Sequence, residues 1–193
     1  MFKKILSVVA LGFGLTASAH AGLVGVKTVE IKNAIGQWLQ VSEFQTWNTA
    51  NVNVALSSNG ASASAPDSWN AASSPSKAID GITLTNFPNM FHEGSPFTND
   101  ILTISLAAAQ ELTSFQIWGR SDCCSGRDIY DIWFKDASGR TLYFADNVNA
   151  ANSNHYAVGQ LPNTANRIPE PASVALLGLG LAALAGLRRR KVH

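Results

Sequence analysis

Leu112-Thr113-Ser114-Phe115-Gln116-Ile117-Trp118-Gly119-Arg120-Ser121-Asp122-Cys123-Cys124-Ser125-Gly126-Arg127 is the stretch from which the rest of the chain is best read. Leu112–Trp118 is a short strand-like run. It passes directly into a compact polar turn that holds two arginines, an acid and the only two cysteines. Further runs of the same kind lie on both sides: Val24–Ile31, Trp38–Trp47, Val52–Leu56, Ile101–Leu106, Ile129–Phe134 and Thr141–Phe144. Trp38–Trp47 places Leu39, Val41 and Glu43 on one face. Turn signals separate the runs at Ser58-Asn59-Gly60, Asp80-Gly81, Asn99-Asp100 and Ser138-Gly139. No helical period appears before residue 172, so the middle of the chain is expected to be an all-β sandwich.

Two connections are long, Ser57–Ser76 and Thr83–Asn99, and long loops on a sandwich are where sites are built. The second carries Phe87, Met90, Phe91, His92 and Phe97, too apolar for an idle solvated loop. It either folds back on the sandwich or lines a pocket.

The chain ends are different in kind. Met1–Ala21 combines Lys3 and Lys4, an apolar run from Ile5 to Leu15 and the exit Ala19-His20-Ala21, the three parts of a secretory signal. Ala172–Leu187 is sixteen residues of Ala, Leu, Gly, Val and one Ser, followed by Arg188-Arg189-Arg190-Lys191. As a helix it spans about 24 Å, short of a bilayer core of about 30 Å, and the basic cluster would stay cytoplasmic. Between the ends, residues 22–168 form one domain of ordinary size. Its eight Lys and Arg against twelve Asp and Glu give a net charge of −4, whereas the whole chain carries +1. A mildly acidic domain without a basic stripe excludes nucleic acid as an expected partner.

Pro169-Glu170-Pro171, then the apolar helix, then the arginine cluster, resembles the PEP-CTERM sorting signal of Gram-negative bacteria. The resemblance implies processing by a membrane-embedded exosortase, at least transient anchoring through 172–187, and delivery to the cell surface or extracellular matrix.

Cys123 and Cys124 sit in an exported, oxidising setting. Their α-carbons are about 3.8 Å apart across a trans peptide, below the usual disulfide range, so a bond between them closes a strained eight-membered ring. A metal pair and two free thiols are the alternatives. Zinc lacks further cysteines, and exported proteins rarely keep two exposed thiols together, which favours the vicinal disulfide. Arg120 and Arg127 are planar forks of donors on either side of the turn, suited to paired hydroxyls or a carboxylate, with Asp122 placed to orient one.

Arg-x-Asp-Cys-Cys-x-x-Arg, with 27 residues between His92 and Arg120, resembles the fucose-binding F-type lectins, a branch of the discoidin-like, galactose-binding β-sandwiches (jelly rolls). The resemblance implies that His92, Arg120 and Arg127 donate to a fucose-type sugar and that Asp122 belongs to the site. It also implies a Cys123–Cys124 disulfide packing against the sugar, with Phe87, Phe91 and Trp69 as candidate aromatic walls. Asn53–Leu56, Ala61–Ala65 and Ser76–Gly81 look like that family's opening strand and calcium loop. A structural Ca2+ is implied at Asp80, with nearby oxygens from Lys77, Ile82 and Ser42. The family's last strand, whose acid also binds the calcium, has no counterpart after residue 145. Trp38–Trp47 looks like it, so a circular permutation is expected, with Val24–Lys32 and Trp38–Trp47 moved to the front and Glu43 returned beside Asp80.

The function expected is an exported, non-catalytic carbohydrate-binding protein. The alternative is an envelope or matrix protein that uses the sandwich as a scaffold, its His92–Arg120–Arg127 set buried in salt bridges. An enzyme is disfavoured: Asp67, Asp80, Glu93, Asp100 and Asp122 show no spacing that specifies glycoside hydrolysis, and no nucleophile, zinc or phosphate-loop signature is present.

Overall fold

The computed structural model describes residues 22–95, 100–152 and 154–164. The signal segment 1–21, the Pro169-Glu170-Pro171 motif, the apolar stretch 172–187 and the basic run 188–191 lie outside the described residues, as do Phe97 and Asn99. Among the described residues no helix is long and apolar enough to cross a membrane.

Nine strands carry the fold: β1 Leu23–Asn33, β2 Gln40–Val41, β3 Glu43–Asn48, β4 Ser62–Ser64, β5 Phe91–His92, β6 Leu102–Trp118, β7 Ile129–Lys135, β8 Thr141–Asn149 and β9 Tyr156–Gln160. Every pairing among them is antiparallel. The helical pieces among the described residues are single 3-10 turns, at Ser57–Asn59, Ala71–Ser73, Pro75–Ile79 and Ser125–Arg127.

β6 organises the sandwich. Its first half pairs with β1 on one side and β4 on the other, and its second half with β3 and β9. β1 continues into β7 and β8. The strand changes layer between the halves: residues 106–109 stand opposite Lys27 alone. The Lys27 ammonium donates to the carbonyls of Leu106 and Ala107, which the bulge leaves without ladder partners. Phe115 on the second half meets Phe134 of β7 at 5.4 Å and Phe44 of β3 at 6.2 Å, ring centre to ring centre, so the two inner faces close on one core.

The sandwich-like, almost purely β architecture agrees with the sequence reading, and four details differ. Ile101–Leu106 and Leu112–Trp118 are one strand, because the Ala-rich link holds no Gly, Pro, Asn or Asp to turn it. Trp38–Trp47 is broken at Ser42, where the chain leaves the β5 partner for β6. Val52–Leu56 forms no strand. Asn53 makes a single bridge to Trp47, and its side chain accepts from the Thr46 and Ala55 amides, turning the backbone at once. β9 is a further strand without a sequence signal, because its small and polar residues give little period.

The ends of the described domain lie side by side: the Thr164 amide donates to the Gly22 carbonyl at 3.1 Å, and the Val24 amide donates to the Thr164 hydroxyl.

Candidate functional site

The site is assembled at the far ends of β1 and β6. β6 delivers Trp118-Gly119-Arg120, and the turn that follows closes at Cys124, whose left-handed backbone (φ 60°) starts the 3-10 turn Ser125–Arg127. Asn33 at the end of β1 pins that turn by donating its amide to the Arg127 carbonyl at 2.6 Å. β2 and β5, a two-stranded ribbon, place Gln40 opposite His92. The loop after β4 lays Trp69 over the ribbon, its amide donating to the His92 carbonyl.

Together these segments line a cavity of about 330 Å3 formed by Trp38, Trp69, Phe87, His92, Arg120, Cys123, Cys124 and Arg127. Five of the six residues assigned to sugar contact from the sequence therefore share one wall. Asp122 stands behind it and grips Arg120 through both oxygens, at 2.8 and 3.2 Å. That bond holds the Asp122 carboxyl below its usual range and fixes the guanidinium plane. The guanidinium also lies 5.3 Å from the centre of the Phe87 ring. Arg127 makes no side-chain hydrogen bond or ion pair among the described residues. Cys123 and Cys124 are joined as a vicinal disulfide.

His92 is held by two bonds. Its Nδ1 lies 2.8 Å from the Glu93 carbonyl, which can only accept, so Nδ1 carries the proton. Nε2, 2.7 Å from the Gln40 amide nitrogen, then accepts. Burial, with the Arg120 and Arg127 charges adding, holds the ring below its ordinary titration range and hence neutral. Both nitrogens are thus engaged within the protein, and the ring lines the cavity between Trp38, at 5.0 Å, and Trp69, at 5.6 Å.

Three further residues support the site and were not read from the sequence. Trp38 forms a wall, having been assigned simply to a strand. Tyr130 donates its hydroxyl to the Gln40 carbonyl at 2.5 Å beneath the ribbon. Asp128 is buried, accepts the Arg120 amide at 2.6 Å and leaves Oδ1 without a partner. Burial pushes its carboxyl up to about 7, against the pull of the Arg120 amide and of both arginine charges. The available signal was position: Asp128 directly follows Arg127 and precedes a strand. Phe91 corrects a sequence expectation: it is wholly buried under the ribbon with Met90 and lines no cavity, so that part of the loop folds back on the sandwich while Phe87 faces the pocket.

A second cluster surrounds the Asp80-Gly81 turn, on the other side of β3. Glu43 is fully buried, and both its oxygens lie 3.2 Å from the Gly81 amide. Burial first, and then the neighbouring Asp80 charge, drive its carboxyl up to about 8. Asp80 accepts from the Ile82 amide at 2.9 Å and from the Lys77 ammonium at 3.3 Å. The Ser42 hydroxyl instead donates to the Gly119 carbonyl. Among the described residues no three His, Cys, Asp or Glu side chains converge as metal ligands. Glu43 and Asp80 thus bring two carboxyl groups together at this turn, met by the backbone amides of Gly81 and Ile82.

Of the remaining acids, Asp67 caps the Gly94 amide at 2.6 Å. Glu93 is buried and raised to about 7, first by burial and then by Asp100 and Asp67. Neither lines the cavity.

Residues 167–191 match the PEP-CTERM protein-sorting motif. The PEP-CTERM motif indicates an exported protein directed to an exosortase and to the envelope of a Gram-negative bacterium. It covers the tail and leaves the domain unassigned. No curated protein and no solved structure matches the chain.

Proposed function

We propose that the domain is a non-catalytic lectin for a terminal, fucose-type sugar, carried to the envelope by its PEP-CTERM tail. The observation that carries this reading is the cavity itself, in which two arginines, a neutral histidine, three aromatic rings and a disulfide face one space of monosaccharide scale. On this reading Arg120, held rigid by Asp122, offers Nη1 to a hydroxyl. Arg127 offers its whole fork. Trp38, Trp69, Phe87 and the disulfide cover the sugar's apolar face and methyl group. His92, its nitrogens committed to Glu93 and Gln40, shapes the pocket and keeps its positive charge out. Hydrogen bonds from a charged donor are worth about 1.5–3 kcal/mol each, so a sugar lacking the matching hydroxyl leaves a costly unpaired arginine.

The discoidin-like jelly roll and its permuted strand order belong to the same proposal. They are supported by adjacent domain ends at Gly22 and Thr164 and by Glu43 meeting the Asp80-Gly81 turn. Ca2+ would be held by Glu43 and Asp80 with backbone oxygens of Ser42, Lys77 and Ile82. It would supply positive charge beside the buried Glu43 carboxylate, adding to the Lys77 ammonium on Asp80. Residues 172–187 would cross the membrane until the exosortase acts.

Titration of L-fucose into the purified, oxidised protein tests the reading beside Arg120→Ala. Saturable binding that weakens at least about tenfold in the variant is expected. A folded protein that binds no fucose would remove that sugar, and the same result across a broad glycan panel would leave the scaffold reading. Against the scaffold stand the open cavity and Arg127, whose side chain has no hydrogen bond or ion pair among the described residues.

A further inference from the structure

We propose that the groove between β8 and β9 is a second ligand site, which takes a neutral oligosaccharide chain. A cavity of about 620 Å3 lies there and shares no lining residue with the first. It exists because the sandwich is not sealed on this side. Among the described residues β8 pairs only with β7 and β9 only with β6, so each has a free edge along the opening. Along β9 the groove runs roughly 17 Å, the length of five extended residues, enough for a chain and long for a single ring.

The lining states the chemistry. Tyr143 and Tyr156 supply ring faces, and Asn149, Asn154, Gln160 and Asp146 supply donors and acceptors. Asn149 uses its side-chain oxygen to cap Ala151, which leaves its NH2 group for a ligand. No lysine, arginine or histidine lines the groove, and its single charge is the Asp146 carboxylate, so anionic ligands are disfavoured. Aromatic faces with many neutral amide and hydroxyl groups fit a ligand that alternates C–H faces with hydroxyls. The Gly159 position keeps the strand close: a Cβ there would stand 2.2 Å from the Phe115 ring on the groove floor. An extended peptide added to the free edge is the competing occupant. The edge of β8 is unsuited to it, because the register slips between Tyr130↔Val148 and Ile132↔Ala145, and Asn147 stands at φ 51°.

The test is calorimetric titration of the full chain with cello-, xylo-, manno- and maltotetraose. Tetragalacturonate serves as the charged control, and a Thr/Val decapeptide probes strand addition. At least one neutral tetrasaccharide is expected to bind wild type and Arg120→Ala equally. That binding should weaken about tenfold in Tyr156→Ala and in Gln160→Ala, with L-fucose binding unchanged in both. Gln160→Ala decides the matter where Tyr156→Ala, losing its stack on Trp118, fails to fold. The proposal is overturned if no neutral tetrasaccharide binds, or if binding disappears in Arg120→Ala. Survival of binding in both groove variants, or occupation of the groove by the decapeptide alone, overturns it as well. Because the groove shares no residue with the first cavity, loss of fucose binding by itself leaves this result standing.

Discussion

At Gly119 the backbone and the Asp128 carboxylate occupy space that a single methyl group would fill: a Cβ would stand 2.3 Å from Asp128 Oδ2. The same carboxylate accepts the Arg120 amide, so the glycine is what lets a buried acid sit beneath the arginine turn. Gly119→Ala is therefore expected to destabilise the domain by about 1–3 kcal/mol in urea unfolding and, on the proposed lectin reading, to weaken sugar binding with it. Asp128 also predicts a pH dependence. Its carboxyl ordinarily titrates at 3.8 and is raised to about 7 in the fold. The native state thus holds a proton that the unfolded chain has already released. Asp128 stabilises in full below about pH 4, and that contribution is lost as pH rises through about 7. Asp128→Asn cannot titrate, so the melting temperature of the variant relative to wild type should climb between those values. A constant difference across this window would refute the assignment. His92, lowered by burial, acts in the opposite direction, but it is present in both proteins.

Among the elements, β6 has the largest role. It spans both layers, turns between them at a bulge whose carbonyls Lys27 satisfies, and ends at Arg120. The position of the site therefore follows the packing of one strand. Phe115, near its middle, touches Phe44 and Phe134 and supports the β9 glycine. Phe115→Ala should cost about 3–5 kcal/mol, measured by equilibrium unfolding, since three elements border the space it would leave. The β2–β5 ribbon is the weaker element, two residues long on each side. It is held through side chains: the Tyr130 hydroxyl on Gln40, and Gln40 on His92. A ribbon this short does not persist alone, so the cavity wall it provides depends on the core beneath it.

For the whole molecule, both ends of the described domain lie at one pole. Gly22 and Thr164 are hydrogen-bonded beside Leu112, while the cavity lies at the other ends of β1 and β6, roughly 20–30 Å away along the strands. A tail fixed to the envelope at that pole would leave the cavity facing outward, the orientation a surface lectin needs. Single-site sugar binding is weak, and display of many copies on a surface would supply the avidity. The Glu43–Asp80 cluster bears on the stability of the entire sandwich, since it joins β3 to the Pro75–Ile79 turn. Added Ca2+ is expected to raise the melting temperature by several degrees, and Glu43→Gln should abolish that response; an unchanged melting temperature in wild type would remove calcium from the proposal.

How much of this was legible before the fold is a question of range. The PEP-CTERM tail, the all-β character and the residues Arg120, Asp122, Cys123, Cys124 and Arg127 were readable because each is a local pattern: a tripartite run, a two-residue alternation, a fixed spacing within eight residues. His92 was placed by a spacing too, although its nitrogen partners were not. The continuous β6, the absence of a strand at Val52–Leu56, and β9 were not readable, since those outcomes depend on which neighbour offers a backbone edge. Trp38, Gln40, Asp128, Tyr130 and the β8–β9 groove lie in the same class. Their roles come from contacts across dozens of residues, and a side chain carries no mark in the sequence of the partner that burial will give it. The sequence by itself determined the destination signal, the chemical inventory and the strand-forming character; only tertiary packing, by deciding which groups lose water and against what, made a cavity of that inventory.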